Sequence, residues 1–117
     1  MHSLVRVVEA IPKELRFYER NDGAVPVRDW LDALETSDPT THDRIVNYLE
    51  RAEAGNTSNF KPEGEGITAL IMDFGPGWRI YFGQDGRELI VLLVGGEKHG
   101  QQQDIATAKE YWRNYNA

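Results

Sequence analysis

The sequence predicts one α+β domain, a small twisted, mainly antiparallel sheet with an N-terminal helical hairpin on one face and a C-terminal helix. Three observations carry that expectation. Apolar residues recur at i, i+3, i+4 and i+7 in two consecutive stretches of the N-terminal half. Three β-rich stretches follow, separated by glycine-bearing turns. A chain of 117 residues, 40% hydrophobic and 27% charged, is large enough for one core and too small for two. The expected unit is a single domain over 1–117 with the element order β-α-α-β-β-β-α.

"ELRFYE" (14–19) alternates charged and apolar residues and reads as a strand, and "LVRVVEAI" (4–11) as an additional strand or an arm. "RNDG" (20–23) is a turn. Pro26 suits the first turn of a helix, where its missing N–H costs nothing, and Val27, Trp30, Leu31 and Leu34 form one apolar face. In "TSDP" (36–39), Asp38 is the expected N-cap and Pro39 the first residue of a second helix. Ile45, Tyr48, Leu49 and Ala52 repeat the spacing, and Gly55-Asn56 supplies the stop. The acids fall on the outer face of this hairpin. "SNFKPEGEG" (58–66) reads as a loop. Strands are expected at about 67–74, 78–84 and 88–94, with "GPG" (75–77) and "QDGR" (84–87) as the turns between them. The nearly continuous apolar run of the last strand fits burial on both faces. Ile105, Ala108 and Trp112 then define a C-terminal helix over 101–115.

Composition removes several function classes. No apolar run approaches the roughly 20 residues that span a bilayer, so no membrane role is expected. The N-terminus carries charges through its short apolar stretch and does not read as a signal peptide. Cysteine is absent, which excludes disulfide and thiol chemistry and fits a cytoplasmic protein. His2, His42 and His99 have no metal-ligand spacing, so neither a metal nor another cofactor is expected. The net charge of −6 lacks the basic field of a general nucleic-acid binder. Most of that acidity lies in residues 21–59, which hold three basic and eight acidic side chains.

Two segments carry candidate chemistry. In "GPGWRIYF" strand alternation sets Trp78, Ile80 and Phe82 on one face, with Arg79 and Tyr81 together on the other, which is expected to be open. A guanidinium can hold phosphate oxygens bidentately, and a phenol can stack on a base or donate a proton. The same pair also suits a solvated strand face. In "GGEKHG" (95–100), two glycines let backbone approach a ligand, Lys98 adds a point charge and His99 can titrate near neutral pH. Gln101 and Gln102 open the last helix and can hydrogen-bond a base or sugar. The 60–66 segment adds Lys61, with Glu63 and Glu65 as candidate general bases, although loop acids are usually solvated.

"DFGPGWRIYFGQDGRELIVLLVGGEKHGQQQDIATAKEYWRNY" resembles the C-terminal half of the RelE/ParE superfamily toxins, in particular the HigB-like addiction-module killer proteins. Those show a "GxGYR(V/I)YF" hairpin, an apolar strand ending in "GGDKS", then "QQ.DI..A". The matching residues here are Gly75, Gly77, Arg79, Tyr81 and Phe82, then Gly95, Gly96, Lys98, Gln101 or Gln102, Asp104 and Ile105. The similarity continues less specifically through "FYERNDGAVPVRDWLDAL" and covers nearly the whole chain.

The resemblance implies a RelE-like fold and the toxin of a type II toxin–antitoxin pair, neutralised by a small antitoxin protein. It implies metal-independent cleavage of mRNA on the ribosome by 2′-OH attack, giving a cyclic phosphate. Carried over by motif, Arg79 holds the scissile phosphate, Lys98 assists, and Tyr81 stacks on a base; His99 stands where the family has a small polar residue. The chain departs from the family in two ways that bear on activity, in the strand before the glycine turn and in its net charge of −6, unusual beside an RNA substrate. The strand before the glycine turn commonly reads "ELRI" there, and here it reads Ala69-Leu70-Ile71-Met72, without the acid and the arginine. That loss and the acidity support an alternative, a non-catalytic toxin-fold protein acting by protein binding, to an antitoxin or, as in ParE-like relatives, to gyrase.

Overall fold

A computed structural model describes residues 11–117. The elements run β1 (Glu14–Phe17), α1 (Pro26–Ser37), α2 (Pro39–Glu53), β2 (Phe60–Gly64), β3 (Ile67–Met72), β4 (Trp78–Asp85), β5 (Leu89–Glu97), a 3-10 turn (Lys98–Gly100) and α3 (Gln101–Tyr115). They form one five-stranded sheet in the order β1-β5-β4-β3-β2. β1 is parallel to β5, and the other neighbours are antiparallel. The α+β class and the helical hairpin are as expected. The segment expected at 4–11 lies almost wholly outside the described residues.

Local chemistry sets the hairpin. The Asp38 carboxylate accepts from the Thr41 N–H at 3.2 Å and from the Thr41 hydroxyl at 2.7 Å, and Pro39 follows in the first turn. α1 has no side-chain cap from Val25, but Asp29 reaches back to the Val25 N–H at 3.3 Å. Gly55, at φ +97°, ends α2, and its backbone meets that of Ile11 so closely that a Cβ would collide.

The sheet is covered on both sides, which corrects the expectation of an open second face. On one side Val27, Leu31, Ile45 and Leu49 of the hairpin pack on Leu70, Met72, Ile80, Phe82 and Leu92. On the other, Ala108 of α3, with Ile105 and Trp112 beside it, packs on Ala69, Tyr81, Val91, Leu93 and Val94. Alternation within β4 is as read: Ile80 and Phe82 belong to the first core and Tyr81 to the second. Period-2 reasoning assigns faces, but which face is covered depends on where a helix twenty residues later docks.

Two strand boundaries also differ. Residues 60–64 form an edge strand where a loop was expected, pairing Lys61 with Ala69 and Pro62 with Thr68. Proline lacks the donor a central strand needs, but at an edge that costs nothing. Phe60 anchors the strand edge-on to Phe82, with ring centroids 4.8 Å apart. β5 extends past residue 94 to Glu97 and contains a bulge: Tyr81 pairs with Val94 and Phe82 with Leu92, leaving Leu93 extra. Beyond the bulge Gly95 faces the hairpin and Gly96 faces α3.

Candidate functional site at the ends of β4 and β5

Arg79 and Lys98 meet across one glycine. Gly77, at φ +81°, closes the β3–β4 turn, and its carbonyl accepts from Arg79 Nη1 at 2.8 Å. A Cβ at Gly77 would lie 2.9 Å from Lys98 Cβ and 3.1 Å from Arg79 Nη1. The glycine is therefore required by both cations as well as by its backbone angle. Arg79 is half-buried and Lys98 exposed. Neither forms an ion pair with a carboxylate among the described residues. Gly77 thus has the Arg79 guanidinium and the Lys98 stem packed against it, so that one anion could meet both charges.

Arg79 pairs with Ile71 on one side and Gly96 on the other. The apolar Ile71 leaves the guanidinium as the charged member of that cross-strand row. Gly96 is covered by the carboxylate of Asp104, and no Cβ would fit between them. Burial raises the pKa of Asp104, and the nearby His99 opposes that rise.

Tyr81 is 1% exposed, so the expected stacking of its ring on a base does not hold. Its hydroxyl is buried with no hydrogen-bond partner among the described residues. Burial pushes its pKa up to about 12; Arg79 acts against that, while Asp104 and Glu63 add to it. These charges surround the phenol, which makes Tyr81 a residue beneath the site rather than on it.

Glu63 is more enclosed than a loop acid, but it lies level with Phe82 and Gly83, three to four residues along β4 from Arg79 and two strands away. Its side chain is only 16% exposed and lies 3.8 Å from Lys61 Nζ, whose own side chain is 68% exposed. The signal was present as the alternation Phe60-Lys61-Pro62-Glu63, masked by the proline and the following glycines. Glu65, in contrast, points outward to Lys109 and Arg113, at 3.8 and 3.9 Å. His99 is exposed and stands 3.8 Å from Glu97. With Pro76, Lys98, Gln101 and Gln102 it lines a shallow cleft of about 470 Å³ over the N-terminus of α3. Lys98, His99, Gln101 and Gln102 are thus brought together beside Arg79. No three potential metal-ligating side chains converge among the described residues.

No helix of the described residues is long and apolar enough to cross a membrane. Neither a protein-family model nor a solved structure matches the chain. A protein of Haemophilus influenzae named as uncharacterized is 38% identical over 66 residues, which span 56% of this chain and 67% of the relative. With that identity over that share of the relative, the chain belongs to the same family as this Haemophilus protein.

Proposed function

We propose that the chain is the toxin of a type II toxin–antitoxin pair, a metal-independent endoribonuclease that cuts mRNA on the ribosome in the cytoplasm and is held in check by a cognate antitoxin. The observation that carries the reading is the convergence of Arg79 and Lys98 on Gly77 without a carboxylate partner among the described residues. The sequence resemblance supplies the reaction class.

In this reading a ribose 2′-oxygen attacks the adjacent phosphorus and the bond to the departing 5′-oxygen breaks, leaving a 2′,3′-cyclic phosphate. Arg79 holds two non-bridging oxygens and Lys98 adds a second positive charge as the phosphorane forms. Glu63 lies level with Phe82 and Gly83, three to four residues along β4 and two strands away from Arg79, too far to take the 2′-OH proton. His99, in the adjoining cleft beside Lys98, is the candidate base. Gln101, Gln102 and His99 are available to ribose or base from the adjoining cleft. Tyr81 supports Arg79 from below. The test is induced expression in bacteria of wild type beside Arg79→Ala, with mRNA ends mapped. Growth arrest with cleavage, relieved by the substitution, supports the reading; cleavage that persists in Arg79→Ala defeats it.

A second reading, a toxin-fold protein that acts by binding another protein, is favoured by Ile71 opposite Arg79 and by the net charge of −6. It expects intact mRNA on induction and, for gyrase as the target, a DNA-damage response.

A further inference from the structure

On the hairpin side of the same strand ends lies a separate cleft of about 460 Å³ between α1 and β5. Its walls are Trp30 and Trp78, whose rings meet edge to face with centroids 5.9 Å apart. Leu34 closes the apolar side, and Glu97, Asp104 and His99 form the polar rim. We propose that this cleft receives an arginine side chain presented by a partner protein.

Two observations carry the assignment. The cleft is built into the fold: the Trp30 ring lies so close on Gly95, and Asp104 on Gly96, that neither glycine could carry a Cβ. Among the described residues its lining holds two carboxylates, Glu97 and Asp104, and no lysine or arginine. His99 at the rim is exposed and leans towards Glu97 at 3.8 Å.

Aromatic faces with carboxylates at one end match a guanidinium, which stacks on indole and forks two N–H donors to a carboxylate. A nucleic-acid base would have the same stacking but would bring phosphates into this acidic surround, which opposes it. A neutral apolar side chain would leave Glu97 and Asp104 desolvated without a counter-charge. The inference does not depend on the nuclease reading: its two indole walls stand on the hairpin face, opposite Tyr81, and Asp104 reaches the rim from α3.

The test follows indole N–H signals by NMR in the full chain, which has three tryptophans. Trp112, packed against Gly83 under α3, is the internal control. N-acetyl-arginine methylamide should shift Trp30 and Trp78 but not Trp112, saturating in roughly the millimolar range. The citrulline analogue, equal in shape but neutral, should bind about tenfold more weakly, as should the arginine probe to Glu97→Gln. Absence of a shift overturns the proposal. So does equal binding of citrulline, or tighter binding of adenosine or guanosine monophosphate than of the arginine probe.

Discussion

Asp104 lies on Gly96, and Gly96 is the residue that β5 sets opposite Arg79. One position to the N-terminal side, Trp30 lies on Gly95 from the other face. The paired glycines that look in sequence like a backbone opened to ligand are instead covered, on opposite faces, by side chains from α1 and α3. Both side chains so held border the indole cleft, Trp30 as a wall and Asp104 at the polar rim, and Asp104 also stands beside the arginine row.

Glycine-to-alanine substitutions should therefore be costly here. Gly95→Ala must displace a half-buried indole packed on the core, and it is expected to lose about 1–3 kcal/mol, as overpacked cores do. Gly96→Ala meets a shorter, partly exposed side chain and should lose less. Urea unfolding of both variants checks the order, and Asp104→Ala should recover part of the Gly96→Ala loss because the two positions are in contact. Additive losses in that double variant would mean that the carboxylate does not occupy the space.

The buried Tyr81 hydroxyl has no partner among the described residues, so Tyr81→Phe removes a polar group that gains nothing from burial. The expected change is a stabilisation of about 1 kcal/mol, measured by the same unfolding curves. A loss of similar size would reveal a hydrogen bond to that oxygen.

The same phenol makes a pH prediction. Its pKa is raised from 10.0 to about 12 in the folded chain, so the unfolded chain releases the proton first. The stability contributed by the neutral phenol is whole below pH 10.0 and is lost as pH rises towards about 12. Stability should fall more steeply over that window in the wild type than in Tyr81→Phe. Phenolate absorbance should lose one late-ionising phenol in the variant, while Tyr115, whose pKa is also raised by burial and by Asp85, remains in both proteins. Equal slopes in the two proteins would contradict the burial of this group.

What was legible in the sequence was what is decided locally. Asp38 and Pro39 mark the start of α2 because a carboxylate and a ring need only their next three neighbours to do so. The split of Ile80 and Phe82 from Tyr81 follows from the pleat alone. Burial of Tyr81 was not legible, since it depends on α3 docking through Ala108. Nor was β2: Pro62, Gly64 and Gly66 suggest a loop, and only pairing with β3 and the seat of Phe60 on Phe82 overrides them. Arg79 and Lys98 were each visible, but their meeting at Gly77 is a property of the folded strand ends.

The nuclease reading makes its sharpest demand on His99, the candidate base in the cleft beside Lys98. His99→Ala should lower ribosome-dependent cleavage by about 10²–10³ while folding is retained, since the side chain is exposed. Unchanged cleavage would remove His99 from the mechanism and leave the two cations to act without it.

Ile71 gives a test in the opposite direction. It sits directly across from Arg79, at the position where the resembling toxins carry an arginine, and it is only half-buried against the α3-side core. A second guanidinium there would join the same cross-strand row and face the same phosphate. Its long stem can cover the apolar surface that Ile71 covers now, so the stability cost should stay near about 1 kcal/mol. If charge stabilisation limits cleavage, Ile71→Arg should raise the rate by at least about tenfold, since one such group is typically worth about 10²–10³. The rise should vanish when Arg79→Ala is added. A folded Ile71→Arg protein with no gain, or with a gain independent of Arg79, would mean that the arginine row does not act on a phosphate, and the protein-binding reading would take its place.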